Sequence, residues 1–234
     1  MATYVLVHGG WSGAHIFRRT RAQLRERGHD VFTPSLTGIG ERAHLTSPQV
    51  NLTTHIQDVV NTVLYEDLAG IVLLGFSYGG FVVTGALSHI GDRVRHVVYL
   101  DAFVPGDGDT VLGLAGRPAD PGITLGEQWL IPPPPRDYDD PAEAAFANAR
   151  RTPHPAGCFT EPARVPRPLE DYPFGRTYIK ATADSPDAPG AGAFWAAAER
   201  ARSGSAWNYR EISTNHMIPV NRPEELAGLL LELA

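Results

Sequence analysis

Ile71-Val72-Leu73-Leu74-Gly75-Phe76-Ser77-Tyr78-Gly79-Gly80-Phe81 is the stretch whose reading decides the fold. Four aliphatic residues in a row read as a buried strand, and Phe81 to Ile90 reads as a helix. The glycines and Ser77 between them therefore occupy a sharp strand-to-helix turn. A serine at the tip of so tight a turn takes a strained backbone, and its neighbours two residues away crowd the strand and the helix. Glycine at 75 and 79 removes the Cβ atoms that would clash. Ser77 then stands above the sheet, at a helix N-terminus whose dipole favours developing negative charge. A glycine-rich turn with a surface serine is the bland alternative, and the strand and helix on the correct sides argue against it.

Outward from this turn, short apolar runs alternate with amphipathic stretches, the pattern of a parallel sheet flanked by helices. Strands are predicted at 4–7, 30–33, 71–74, 94–100, 177–181 and 207–212, and helices at 16–27, 53–65, 81–90, 193–202 and 224–233. Asn221 is the expected N-cap of the last helix. Asn51-Leu52-Thr53 matches a glycosylation sequon but reads more simply as a helix start. Between residues 102 and 175 the alternation fails. Fourteen of the 20 prolines lie there, including the run Pro132 to Pro135, which must be extended. Leu112, Leu114, Ile123, Leu125, Trp129, Leu130, Phe146 and Phe159 are too apolar to leave solvated, so the segment reads as a cap over a site rather than a disordered linker. The expectation is one domain over residues 1–234, with a core of 1–101 and 176–234 and a cap insertion of 102–175.

A serine hydroxyl needs a base to take its proton. Of nine histidines, His216 is the best placed, in the loop between the last strand and the last helix. An acid should orient the imidazole, and the loop after the preceding strand offers Asp184 and Asp187. Asp184 is preferred because it lies nearer the strand end; Asp187, beyond a proline, suits a turn or a cap. Asp101, ending the strand after the nucleophile helix, is a third candidate, with a structural or cap-anchoring role expected. Two backbone N–H groups should meet the developing oxyanion. Tyr78, directly after the nucleophile, supplies one and Gly10 of Val7-His8-Gly9-Gly10-Trp11 the other, with His8 bracing the loop. Gly9, Trp11 and the cap residue Trp129 are expected to bind substrate, with Trp11 and Tyr78 at the mouth.

Composition limits the rest. The 234 residues, 43 % hydrophobic and 20 % charged, suit one soluble globular core. A formal charge of −6 without a basic stripe argues against nucleic acid. No run approaches the roughly 20 apolar residues needed to span a bilayer. Nothing at the N-terminus reads as a signal peptide, so the cytoplasm is the expected compartment. Cys158, the sole cysteine, reads as a packing residue.

These motifs resemble the α/β-hydrolase branch that holds plant hydroxynitrile lyases, plant methylesterases and many bacterial esterases. The marks are Val5-Leu6-Val7-His8-Gly9-Gly10, Gly75-Phe76-Ser77-Tyr78-Gly79-Gly80 and Asn215-His216-Met217. Tyr99 to Pro105 and Arg151 to Pro155 support them. The resemblance implies an α/β-hydrolase fold: a mostly parallel sheet of about six strands flanked by helices, with an inserted cap. It implies a triad of Ser77, Asp184 and His216. The lyases carry threonine where this chain has Gly9, and a lysine for departing cyanide where it has Met217. Both departures favour ester hydrolysis, of a small apolar or aromatic molecule, without metal or organic cofactor. A lyase, cyclase or dehydratase on the same triad, and a receptor that binds without turnover, are the alternatives. A second copy of the chain is the one protein partner kept in view.

Overall fold

The structure, a computed structural model, describes residues 1–117, 129–188 and 190–234. In chain order the elements are β1 (Thr3–Val7), α1 (Arg18–Glu26), β2 (Asp30–Phe32), α2 (Leu52–Tyr65), β3 (Ile71–Phe76), α3 (Gly79–Ile90) and β4 (Val94–Leu100). Short pieces follow: α4 (Val111–Leu114), β5 (Leu130–Ile131), α5 (Pro141–Asn148), β6 (His154–Pro155) and α6 (Gly157–Thr160). Then come β7 (Gly175–Ala181), α7 (Gly192–Ser203), β8 (Asn208–Ile212), α8 (Ile218–Asn221) and α9 (Pro223–Leu231).

Six strands form one sheet in the order β2-β1-β3-β4-β7-β8, with every neighbouring pair parallel. Successive residues of β3 serve opposite faces: Ile71 and Leu73 join one core, Val72 and Leu74 the other. Both faces are covered by helices, so the strand reads as an unbroken apolar run rather than an alternation. On one face the core includes Val59 of α2, Phe81 of α3 and Ala198 of α7; on the other, Leu24 of α1 and Leu230 of α9. The Tyr4 hydroxyl donates to the Leu230 carbonyl at 2.9 Å and fastens α9 to β1.

Asn51 caps α2 with a full capping box, its side chain accepting from the Thr54 N–H. The expected cap of the last helix is displaced. Asn221 closes α8, and α9 starts anew at Pro223 with Arg222 at its N-cap. Proline at the first helical position has a preset φ and needs no hydrogen bond there, so it starts a fresh helix.

Between β4 and β7 the described residues pack into the same core as the sheet: Val111, Leu112, Phe159 and Leu169 belong to the cluster around Phe81. Residues 132–135 form neither helix nor strand. Ile123 and Leu125, expected to be buried cap residues, lie outside the described residues. Among the described residues, no helix is long and apolar enough to cross a membrane.

Candidate active site

The carboxyl ends of β1, β3 and β4 carry the three positive-φ residues that define the site. They are Trp11 (φ 58°), Ser77 (φ 55°) and Asp101 (φ 38°). Non-glycine residues avoid this region, and such strain collects where surrounding structure over-determines a functional geometry. Around Ser77 the packing requires glycine. A Cβ on Gly75 would lie 2.6 Å from the Gly79 carbonyl oxygen, and one on Gly79 would lie 2.8 Å from the Val7 carbonyl oxygen. The turn can therefore press α3 against β1 only with both side chains absent.

His216 Nε2 lies 2.9 Å from Ser77 Oγ, and His216 Nδ1 lies 2.6 Å from Asp101 Oδ2. Phe194 stacks on the imidazole at 4.9 Å and 11°, and Phe76 tilts against it at 4.9 Å. Clamped between the two rings, the imidazole keeps the orientation that joins hydroxyl to carboxylate. Asp101 is buried, which by itself raises a carboxyl pKa. The hydrogen bonds and charges of His216 and Lys180 outweigh that burial and hold the group below its ordinary value. It faces the imidazole as a carboxylate.

The acid is thus not where the sequence reading put it. Asp184 accepts a hydrogen bond from the backbone N–H of His216 at 2.7 Å, so it secures the loop rather than the ring. Asp187 is exposed and its N–H is bonded to Ser185 Oγ. Asp101 follows β4 as directly as Ser77 follows β3, and adjacent parallel strands with Phe76 paired to Leu100 bring the two residues to the same edge. Lys180, which the sequence reading gave no role, touches the other carboxylate oxygen, Asp101 Oδ1, at 2.6 Å and is fully buried. A lysine inside the apolar run Tyr178-Ile179-Lys180-Ala181 signals a buried counter-charge, because an unpaired ammonium there would be prohibitively desolvated.

Gly9 passes close against the nucleophile: a Cβ there would lie 3.0 Å from Ser77 Cβ. The N–H groups of Gly10 and Tyr78 donate to no protein acceptor among the described residues, which leaves both for a ligand oxygen. His8 braces this loop from beneath. Its Nε2 accepts from the Leu36 N–H at 3.1 Å, so Nδ1 carries the proton and donates to the Gly9 carbonyl at 2.9 Å. Burial pushes the His8 imidazole down to about 4.

A small, partly open cavity lies over Ser77 and His216 and includes Gly9, Gly10, Trp11, Tyr138 and Met217 in its wall. Trp11 is anchored by its indole N–H, which donates to the Ile131 carbonyl at 2.9 Å. Two expected contacts are placed elsewhere. Trp129 is not in that wall; its carbonyl accepts from the Ala156 N–H. The Tyr78 side chain is buried in the core, its hydroxyl 2.9 Å from His55 Nδ1, so it is absent from the mouth. The ring instead packs edge-on against His154 and Phe159 within the core.

His55, His154 and Cys158 bring three metal-type donor atoms within 4.8 Å of one another, all buried. These donors are in part already engaged. His55 Nε2 donates to the Thr37 carbonyl at 2.7 Å while its Nδ1 accepts from Tyr78, and the Cys158 Sγ lies 3.8 Å from the Val50 carbonyl. Burial raises the Cys158 thiol and lowers both imidazoles, leaving the group uncharged. As arranged, it supports the Tyr78 ring beneath the elbow.

Residues 4–229 match the alpha/beta hydrolase family. The chain belongs to that family. Within it, 124 residues are 47 % identical to a carbendazim hydrolyzing esterase of a Nocardioides species, covering 53 % of this chain and 51 % of the esterase. An alpha-hydroxynitrile lyase of Arabidopsis thaliana is 28 % identical over 108 residues, 44 % of this chain and 40 % of the lyase. The chain thus spans about half the length or less of these curated family members. An extracellular alpha/beta-hydrolase from a Paenibacillus species superposes with a TM-score of 0.77 at 24 % identity, covering 99 % of this chain and 98 % of that one. It shares the family fold from end to end.

Proposed function

We propose that this protein hydrolyses a carboxylic ester of a small molecule through an acyl-enzyme. The observation that carries the reading is the unbroken contact from Ser77 Oγ through His216 to Asp101. His216 takes the Ser77 proton as Oγ adds to the ester carbonyl. The amides of Gly10 and Tyr78 hold the oxyanion, and Asp101 stabilises the imidazolium. His216 then protonates the leaving alcohol. In the second step it deprotonates water, which adds to the acyl group; collapse returns the proton to Ser77 and releases the acid. The transfers between Ser77 and His216 pass between groups already in contact, and neither step calls for a metal or organic cofactor.

The esterase name of the Nocardioides family member supports this reading, and so does Met217, which follows His216 where the lyases place a cation. We also propose that residues 102–175 act as the cap that selects substrate, and that the cytoplasm is the compartment. The reading is tested with p-nitrophenyl acetate and an aryl cyanohydrin. Multiple turnovers of the ester, with fluorophosphonate labelling at Ser77, are expected. Release of cyanide without ester turnover would replace hydrolysis by a lyase reaction, and binding without either would favour a receptor.

A further inference from the structure

Two arginines of the inserted segment, Arg136 and Arg151, line the cavity that holds Ser77 and His216. Elsewhere the half-buried arginines are committed: Arg18 to Glu143, Arg42 to Asp58, and Arg176 to three backbone carbonyls. Among the described residues, neither cavity guanidinium has a carboxylate within 4.0 Å. The acids whose charges favour that of Arg136 are, among the described residues, at least partly engaged or turned to solvent. Asp101 is shared by Lys180 and His216, Asp184 is bonded to the His216 N–H, and Asp137 is exposed. Tyr138 shares the cavity wall with both cations and feels the charge of each, and its buried hydroxyl has no hydrogen-bond partner among the described residues. Burial disfavours the charge on each arginine, and the neighbouring charge of Arg136 disfavours that of Arg151 further. Two like charges and an unsatisfied hydroxyl facing one small cavity are costly unless an anion joins them.

The arrangement is held from both sides. The Asp137 carbonyl accepts from Asn215 Nδ2 at 3.1 Å, the Asp139 N–H donates to Asn221, and the Asp139 carboxylate pairs with Arg222. These bonds tie the residues around Arg136 to the loop that carries His216. Next to Arg151, the Thr152 N–H donates to the Trp11 carbonyl at 3.2 Å, and the Thr152 hydroxyl accepts from the Gly40 N–H at 2.8 Å. The stiff proline run before Arg136 removes further freedom. The backbone that carries both arginines is therefore held before a ligand arrives, which lowers the ordering cost of charged recognition.

We propose that Arg136, Arg151 and the Tyr138 hydroxyl form an anion subsite, so that the substrate is an ester bearing a carboxylate a few bonds from the scissile carbonyl. The inference rests on the hydrolase reading and narrows its substrate class. A carboxylate accepts from both guanidiniums and from the hydroxyl, giving a direct partner to three groups that lack one among the described residues.

Matched esters test it. Monomethyl glutarate against methyl valerate places the carboxylate on the acyl side; 3-acetoxypropionate against propyl acetate places it on the alcohol side. In one of the two arms kcat/KM for the anion should exceed that for its neutral mate by about tenfold or more, the scale of a charge-assisted hydrogen bond. Arg136→Gln and Arg151→Gln should each lower kcat/KM for the anionic ester by about tenfold more than for its neutral mate, and added salt should shrink the preference. A wild-type preference for the neutral ester in both arms, or equal losses on both esters, overturns the subsite. Turnover of p-nitrophenyl acetate in the same preparations keeps the two readings separate, since it reports hydrolysis whatever the subsite does. Should no ester be turned over, calorimetry of glutarate with the Ser77→Ala protein decides the subsite alone. Binding that is lost in Arg136→Gln upholds it, and no binding ends it.

Discussion

Lys180 Nζ lies 2.6 Å from Asp101 Oδ1, so the carboxylate that orients the His216 imidazole is itself gripped by a fully buried ammonium. The ammonium also donates to the Ala181 carbonyl and sits over the Trp195 ring at 4.4 Å. Breaking a buried ion pair leaves an uncompensated charge, at about 3–5 kcal/mol. Lys180→Met should therefore lower the melting temperature. It should also lower kcat, because the Asp101 carboxylate that orients the His216 ring loses its anchor. A variant with unchanged stability and an unchanged kcat would show that the pair does neither.

Asp101 and Asp184 both touch His216, one at the ring and one at the backbone. Asp101→Asn should lower kcat by about 10⁴-fold, the cost of a mis-set imidazole. Asp184→Asn keeps an oxygen that can accept this hydrogen bond and loses only the charge, so it should cost no more than about tenfold. Steady-state kinetics on one ester compares them, and the reverse order would hand the acid's role to Asp184.

Tyr78 contributes to the proposed oxyanion site through its N–H and to the core through its side chain. Tyr78→Phe keeps the amide and loses the bond to His55, leaving a buried imidazole nitrogen without a donor. Stability should fall by about 1–3 kcal/mol with kcat within about threefold of wild type. A large loss of kcat without loss of stability would mean that the hydroxyl serves the chemistry.

His8 and His55 are fully buried, and burial lowers both from 6.5 to about 4. Each must stay neutral, because one ring nitrogen of each accepts a hydrogen bond. The unfolded chain takes up these protons near 6.5 and the folded chain only near 4. Their contribution is therefore complete above that window and lost as pH falls through it, on the order of 3 kcal/mol for each. Urea unfolding followed from about pH 7 down to about pH 4 should show the decline. Flat stability across the window would contradict the neutral, buried state.

The sheet was legible because its strands are buried on both faces and therefore stand out as aliphatic runs such as Ile71 to Leu74. The turn at Ser77 and the placement of His216 were legible for a local reason: glycine spacing and loop position are written in the chain. Which carboxylate reaches the ring was not. That depends on the φ of 38° at Asp101 and on Lys180 from a neighbouring strand, and neither is a property of the segment that holds Asp101. Position within a loop favoured Asp184, which does approach His216 but meets its backbone. The Tyr78 ring was misplaced for a related reason. A side chain next to an exposed nucleophile was expected to share its exposure, whereas the tight turn sends adjacent residues in opposite directions. Arg136 and Arg151 drew no attention as cavity residues because their meeting depends on how the inserted segment folds over the sheet.

The central claim is that the hydroxyl of Ser77 is the group that attacks. It is tested most directly by comparing kcat for p-nitrophenyl acetate between the wild-type protein and Ser77→Ala, with circular dichroism showing that both are folded. The account expects a fall of about 10⁶-fold. Retention of most of the activity in the folded variant would contradict it.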